Sequence, residues 1–134
     1  MKKVKILVVD DDPIVLDSCR RVFEAEGIEV FLVPSAEKAL EAMENNNFAI
    51  LLVDVKMPEQ DGMYLMRKVK EKWPEMPIIV MSGYPTPETI AGGFQLGAAK
   101  FIAKPFTPDE LFETVQQVLQ EEKNYGTKKS SGNR

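Results

Sequence analysis

Short runs of large aliphatic residues, each closed by a polar or turn-forming residue, recur five times and alternate with stretches whose apolar residues fall three and four apart. Such runs read as buried strands, and the three-four spacing reads as one-sided helices. Val4 to Val9 is the first strand, and Asp12-Pro13 then starts a helix, with Asp as N-cap and Pro at the first helical position. Apolar residues at 15, 16, 19, 22 and 23 carry that helix to Gly27, and Ile28 to Val33 is the second strand. Ser35 caps the next helix, marked by Ala36, Ala39, Leu40 and Met43 and ended by Asn45-Asn46-Asn47; Phe48 to Val53 then leads into Asp54.

Pro58 and Gly62 turn the chain into a third helix carrying Met63, Met66 and Val69, which ends at Trp73-Pro74 because proline disfavours helix in the residue before it. Pro77 to Met81 is the fourth strand, followed by Ser82-Gly83-Tyr84. Thr86-Pro87 starts a fourth helix. It contains Gly92-Gly93, each costing roughly 1 kcal/mol against Ala, and so has the least intrinsic stability of the five. Lys100 to Ala103 is a short fifth strand ending at Lys104-Pro105. Thr107-Pro108-Asp109-Glu110 is a full capping box, and Leu111, Val115, Val118 and Leu119 give the last helix its apolar stripe. Residues 123–134 carry no periodicity and are expected to form a flexible tail or linker stub beyond a domain spanning 1–122. Strands alternating with helices require parallel pairing with crossovers, so the predicted fold is α/β, a doubly wound parallel sheet.

Composition narrows the chemistry. At 134 residues and 44% hydrophobic content the chain is long enough for one core, and its apolar runs fall far short of the roughly 20 residues that span a bilayer. We expect a cytoplasmic protein without a membrane anchor. The single Cys19 excludes an internal disulfide and falls on a helical core stripe. No histidine is present, which removes an imidazole base, a histidine zinc site and a phosphohistidine within this chain. A net charge of −4 argues against nonspecific nucleic-acid binding by this domain and points to a protein partner.

Four strand ends carry polar residues: Asp10 and Asp11, Asp54, Ser82 and Lys104. Ligands bind outside the carboxyl ends of parallel strands, and in a 2-1-3-4-5 sheet the first and third strands are neighbours there. Converging carboxylates repel one another unless a hard oxygen-seeking cation such as Mg²⁺ sits among them. An aspartate flanked by a metal and a lysine can attack phosphorus, so Asp54, Mg²⁺ and Lys104 make a phosphoryl-transfer site in which Ser82 can hydrogen-bond a phosphoryl oxygen. Asp12 is assigned to the helix cap.

Over residues 3–122 the chain resembles the receiver domains of bacterial two-component response regulators. The likeness rests on Asp10-Asp11, Asp54 with Met57-Pro58 and Asp61-Gly62, Ser82-Gly83 and Lys104-Pro105-Phe106. It implies the flavodoxin-like order 2-1-3-4-5 and a switch phosphorylated on Asp54 by a histidine kinase or a histidine phosphotransfer protein. It also implies Mg²⁺ held by Asp10, Asp11, Asp54 and the backbone carbonyl of Lys56, with Lys104 on the phosphoryl group and a cis Lys104-Pro105 bond. Ser82 and Phe101 would be the switch pair, Phe101 standing where many receivers carry tyrosine. Lys56 and Tyr84 would border the phosphoryl site. The output surface would be the fourth helix, fifth strand and fifth helix, which also allows a homodimer. Such a domain would catalyse only its own phosphorylation and dephosphorylation. Two other readings are a small Mg²⁺-dependent phosphatase of the haloacid dehalogenase type, using Asp10-Asp11-Asp12 as Asp-x-Asp, and a receiver-like interaction module that takes up no phosphate.

Overall fold

The aliphatic runs become the strands β1 (Lys5–Val9), β2 (Glu29–Val33), β3 (Ile50–Asp54), β4 (Ile78–Ser82) and β5 (Ala98–Ala103). Between and after them lie α1 (Pro13–Ala25), α2 (Ala36–Asn45), α3 (Asp61–Lys72), α4 (Pro87–Gln95) and α5 (Pro108–Ser131). The computed structural model describes residues 4–55, 61–83 and 85–131. The five strands form one parallel sheet in the order β2-β1-β3-β4-β5.

Side-chain alternation along the strands divides the interior into two cores, because neighbouring strand residues point to opposite faces. Leu7, Val9, Leu51, Val53, Ile78 and Val80 pack with residues of α2 and α3 on one face. Ile6, Val8, Ile50, Leu52, Ile79 and Met81 pack with Cys19 and Phe23 of α1 and with Leu111, Val115 and Val118 of α5 on the other. Covered on both sides, β3 and β4 are buried along their whole length, which is why their sequences read as unbroken aliphatic runs.

The caps stand where the sequence places them. Asp12 accepts from the Ile14 backbone N–H, Ser35 from Lys38 and Thr86 from Thr89. At α5 the capping box is closed in both directions: Thr107 Oγ1 accepts from the Glu110 N–H at 3.0 Å, and Glu110 Oε1 accepts from the Thr107 N–H at 2.8 Å. Gly27 follows α1 at φ +73°, the left-handed conformation that glycine adopts without strain.

Two expectations change. The fifth strand begins at Ala98, before the predicted Lys100, and the ladder to β4 jumps from Ile78↔Ala98 to Ile79↔Lys100. Ala98-Ala99 has little intrinsic strand preference, so only pairing with β4 recruits it. The segment expected to be a flexible tail is helical as far as Ser131, since α5 continues through it. Glu121-Glu122-Lys123 are good helix formers, no proline follows, and Gly126 alone costs only about 1 kcal/mol. Among the described residues no helix is long and apolar enough to cross a membrane.

Candidate functional site

Parallel pairing brings four strand ends to one level. Val9 pairs with Val53, so Asp10 comes level with Asp54. Asp54 is in turn the partner of Met81, one residue before Ser82. Three hydrogen bonds extend the ladders past these strand ends: Asp10 N donates to Val33 O at 3.2 Å, Val55 N to Met81 O at 3.3 Å, and Lys104 N to Ser82 O at 2.8 Å. Asp10, Asp54 and Lys104 continue the alternation of Val8, Leu52 and Ile102, and so belong to the α1/α5 side of the sheet.

Carboxylate oxygens of Asp10, Asp11 and Asp54 all lie within 4.8 Å of one another. Asp10 is fully buried, Asp54 is 4% exposed, and Asp11 is open to solvent. Lys104 Nζ bridges the two buried members, 2.7 Å from Asp10 Oδ2 and 3.1 Å from Asp54 Oδ2. The Asp12 N–H donates to Asp10 Oδ1 at 2.9 Å. Burial pushes the Asp10 carboxyl above its ordinary range, and the Asp54 charge adds to this; the hydrogen bonds from Lys104 and Asp12 oppose it. Burial alone would lower the Lys104 ammonium, but its hydrogen bond to Asp10 and the two carboxylate charges hold it above its ordinary value. Lys104 is therefore a fixed cation. One ammonium against three carboxylates leaves two negative charges, all on oxygen donors, and the exposure of Asp11 leaves room for water; this donor set fits a hard divalent cation.

Ser82 is fully buried at the end of β4. Phe101 is half-buried on the opposite sheet face to Lys104, packed against the core that holds Val80. The Lys104-Pro105 peptide bond is cis. Lys56 and Tyr84 lie outside the described residues. Asp12 is engaged by the α1 cap through Ile14, so an Asp-x-Asp pair built on Asp10 and Asp12 lacks its second free acid.

Three features of the site were not singled out from the sequence. Ile14 is 74% exposed and, with Val15, Pro105 and Phe106, lines a mouth of about 430 Å³ beside Lys104. The signal was present: Ile14 is apolar yet lies off the 15, 16, 19, 22, 23 stripe. The second feature is the close approach at Gly62, legible in the sequence only as a turn: a Cβ there would stand inside contact distance of the Asp54 carbonyl oxygen and 2.5 Å from Val55 Cα. Only glycine lets α3 start this close to the Asp54 peptide. The third is the bond from Lys104 to Asp10, which ties the fifth strand to the first across the intervening β3 and β4.

The family model for the response regulator receiver domain matches residues 6–116. The chain belongs to the response regulator receiver family. As a receiver it is similar to a CheY-like receiver domain protein of Methanospirillum hungatei, with TM-score 0.87 and 34% identity over 92% of this chain and 99% of that one. It is 37% identical to a 14.6 kDa protein of Leptolyngbya boryana, over 87% of this chain and 91% of that one. It is also 36% identical to the hydrogenase transcriptional regulatory protein HoxA of Cupriavidus necator, where the match covers 89% of this receiver and 25% of that regulator. This receiver thus spans about a quarter of HoxA and NtrC, about half of shorter regulators such as FixJ and RprY, and nearly all of the small relatives.

Proposed function

We propose that this receiver is a phosphorylation-activated switch in a two-component phosphorelay. Asp54 accepts a phosphoryl group from a phosphohistidine of a histidine kinase or histidine phosphotransfer protein. The observation that most supports this is the Asp10, Asp11 and Asp54 cluster, with Lys104 bridging its two buried members. In the transfer, an Asp54 carboxylate oxygen attacks phosphorus, the P–N bond to the donor imidazole breaks, and the ring nitrogen keeps the electron pair. Lys104, already charged and anchored by Asp10, faces the incoming phosphoryl oxygens. Asp10, Asp11, Asp54 and the Lys56 carbonyl would hold Mg²⁺, which when bound offsets the negative charge of the carboxylates and of the phosphoryl oxygens. The apolar mouth formed by Ile14, Val15 and Phe106 receives the donor ring and keeps it from competing water.

Ser82 and Phe101 then report the new charge to the face formed by α4, β5 and α5, where the downstream target binds. The phosphoryl group contributes only its differential contact with the two states, so this is a population shift. Residues 1–122 constitute the receiver unit, and the domain works in the cytoplasm, turning over nothing but its own acyl phosphate.

The test is intact mass after incubation with acetyl phosphate and Mg²⁺. One added phosphoryl group is expected, and none in Asp54→Asn. Equal uptake by that variant at another carboxylate would overturn the assignment.

A further inference from the structure

At the amino ends of the strands, away from the phosphoryl site, the chain leaves a hollow. The connection from α2 to β3 and the connection from α3 to β4 enclose about 410 Å³. A second space of about 660 Å³ continues it past Met43, Asn46, Asn47, Lys72 and Trp73, which line both, to Lys5 at the start of β1. Phe48 comes six residues before Asp54, so β3, rising about 3.3 Å per residue, sets the hollow roughly 20 Å from the carboxylate cluster.

The lining is unlike the rest of the interior. The sheet faces are packed largely with Val, Leu and Ile, whereas the apolar wall here consists of Met43, Phe48, Trp73, Pro74, Met76 and Pro77. Rings present flat faces and thioethers are polarizable, so this wall favours an aromatic occupant over an aliphatic one. Met43, Phe48 and Met76 are buried and Trp73 is half-buried, so the wall is formed before anything enters.

The charges select the sign of the occupant. Lys72 lies over the Trp73 ring at 5.2 Å and is already neutralised by Glu44. Lys5 lies over the Phe31 ring at 5.5 Å and 3.5 Å from Asn46 Oδ1, and no carboxylate among the described residues forms an ion pair with it. Asn46 is held in that orientation by its Nδ2, which donates to the Ala42 carbonyl at 3.0 Å. Glu75 lines the first space and not the second, so an anionic group belongs in the second, beside Lys5.

We propose that this hollow binds a small planar aromatic compound carrying one anionic group, its ring against Trp73 and Met43 and its charge at Lys5. The site is separate from the phosphoryl-transfer reading and stands without it.

The experiment is calorimetry of the 134-residue chain with 2-naphthoate, beside its neutral counterpart 2-naphthamide and its saturated, non-planar counterpart decahydro-2-naphthoate. 2-Naphthoate should bind at one site with a Kd of about 0.1 mM, and the other two about fivefold more weakly. Lys5→Gln should reduce naphthoate affinity about fivefold and leave naphthamide affinity unchanged, while Lys5→Arg, which keeps the charge, should retain both. Amide NMR shifts on adding naphthoate should fall on residues 46–48 and 72–76. No saturation at about 5 mM, equal affinity for the saturated acid, equal loss in Lys5→Gln and Lys5→Arg, naphthoate binding indifferent to Lys5→Gln, or shifts confined to the residues around Asp11 and Ile14 would overturn the proposal.

Discussion

At Gly62 a single missing carbon decides how the Asp54 peptide is held. A methyl group there would be driven into the Asp54 carbonyl and Val55 Cα, both backbone atoms that cannot swing aside. We expect Gly62→Ala to destabilise the fold by about 1–3 kcal/mol in urea denaturation, as overpacking does. Phosphoryl uptake should also slow at temperatures where the variant remains folded; uptake at the parent rate would show that Asp54 tolerates the displacement. Asp17, on the exposed side of α1, offers a contrasting case. Its hydrogen bond to Arg20 and the nearby Arg21 charge hold its carboxyl below its ordinary value of 3.8. A folded value below the unfolded one means the contribution is complete above 3.8 and disappears as pH falls through the lower folded value. Asp17→Asn should therefore melt slightly lower than the parent at neutral pH, and the two should converge in strong acid; a constant gap would mean the ion pairs are not its source. Cys19 is fully buried, and burial pushes its thiol up to about 12, which leaves it protonated and inert.

Among the elements, α4 and α5 are opposites. α5 starts in a two-way capping box and packs Leu111, Val115 and Val118 into the core. α4 has nine residues, two of them adjacent glycines, and Gly93 is its one buried residue. Neither Gly92 nor Gly93 has positive φ. A Cβ at 92 would meet Met63 Cε at 3.5 Å and one at 93 would meet Val80 Cγ2 at 3.5 Å, both ordinary contacts. Replacing both by alanine should therefore stabilise the helix by up to about 2 kcal/mol. Phosphoryl uptake should persist while hydrogen exchange from α4 through β5 responds less to it. An undiminished exchange response in the double variant would mean that the pliancy of α4 plays no part in the switch.

For the molecule as a whole, the carboxylate cluster joins two strands and its members differ in what else they support. Asp11 is exposed and belongs to the cluster, whereas Asp10 also anchors Lys104 and accepts from Asp12. Calorimetry should show Asp11→Ala losing the most Mg²⁺ affinity with little change in stability. Asp10→Ala should lose less affinity, and because Lys104 keeps Asp54 as a partner at 3.1 Å while a buried, repelled carboxylate is removed, stability in urea denaturation should change little. Asp12→Ala should cost about 1 kcal/mol through the lost cap and leave Mg²⁺ binding intact. A larger affinity loss in Asp12→Ala than in Asp11→Ala would overturn this division.

Local rules were enough for the caps, the five strands and five helices, and the residues at the strand ends, because hydrogen bonds to backbone N–H groups and the burial of an apolar stripe act over a few residues. The Asp12, Ser35, Thr86 and Thr107 caps and the aliphatic runs of β3 and β4 are legible for that reason. Strand order is a different kind of fact: periodicity does not state which strand neighbours which, and the sheet alone brings Asp10 level with Asp54. The same is true of the Lys104 bridge across 94 residues of chain, the recruitment of Ala98-Ala99 into β5, and the close approach at Gly62. Each depends on a contact between segments far apart in sequence, whose energy has no trace in the local composition of either one.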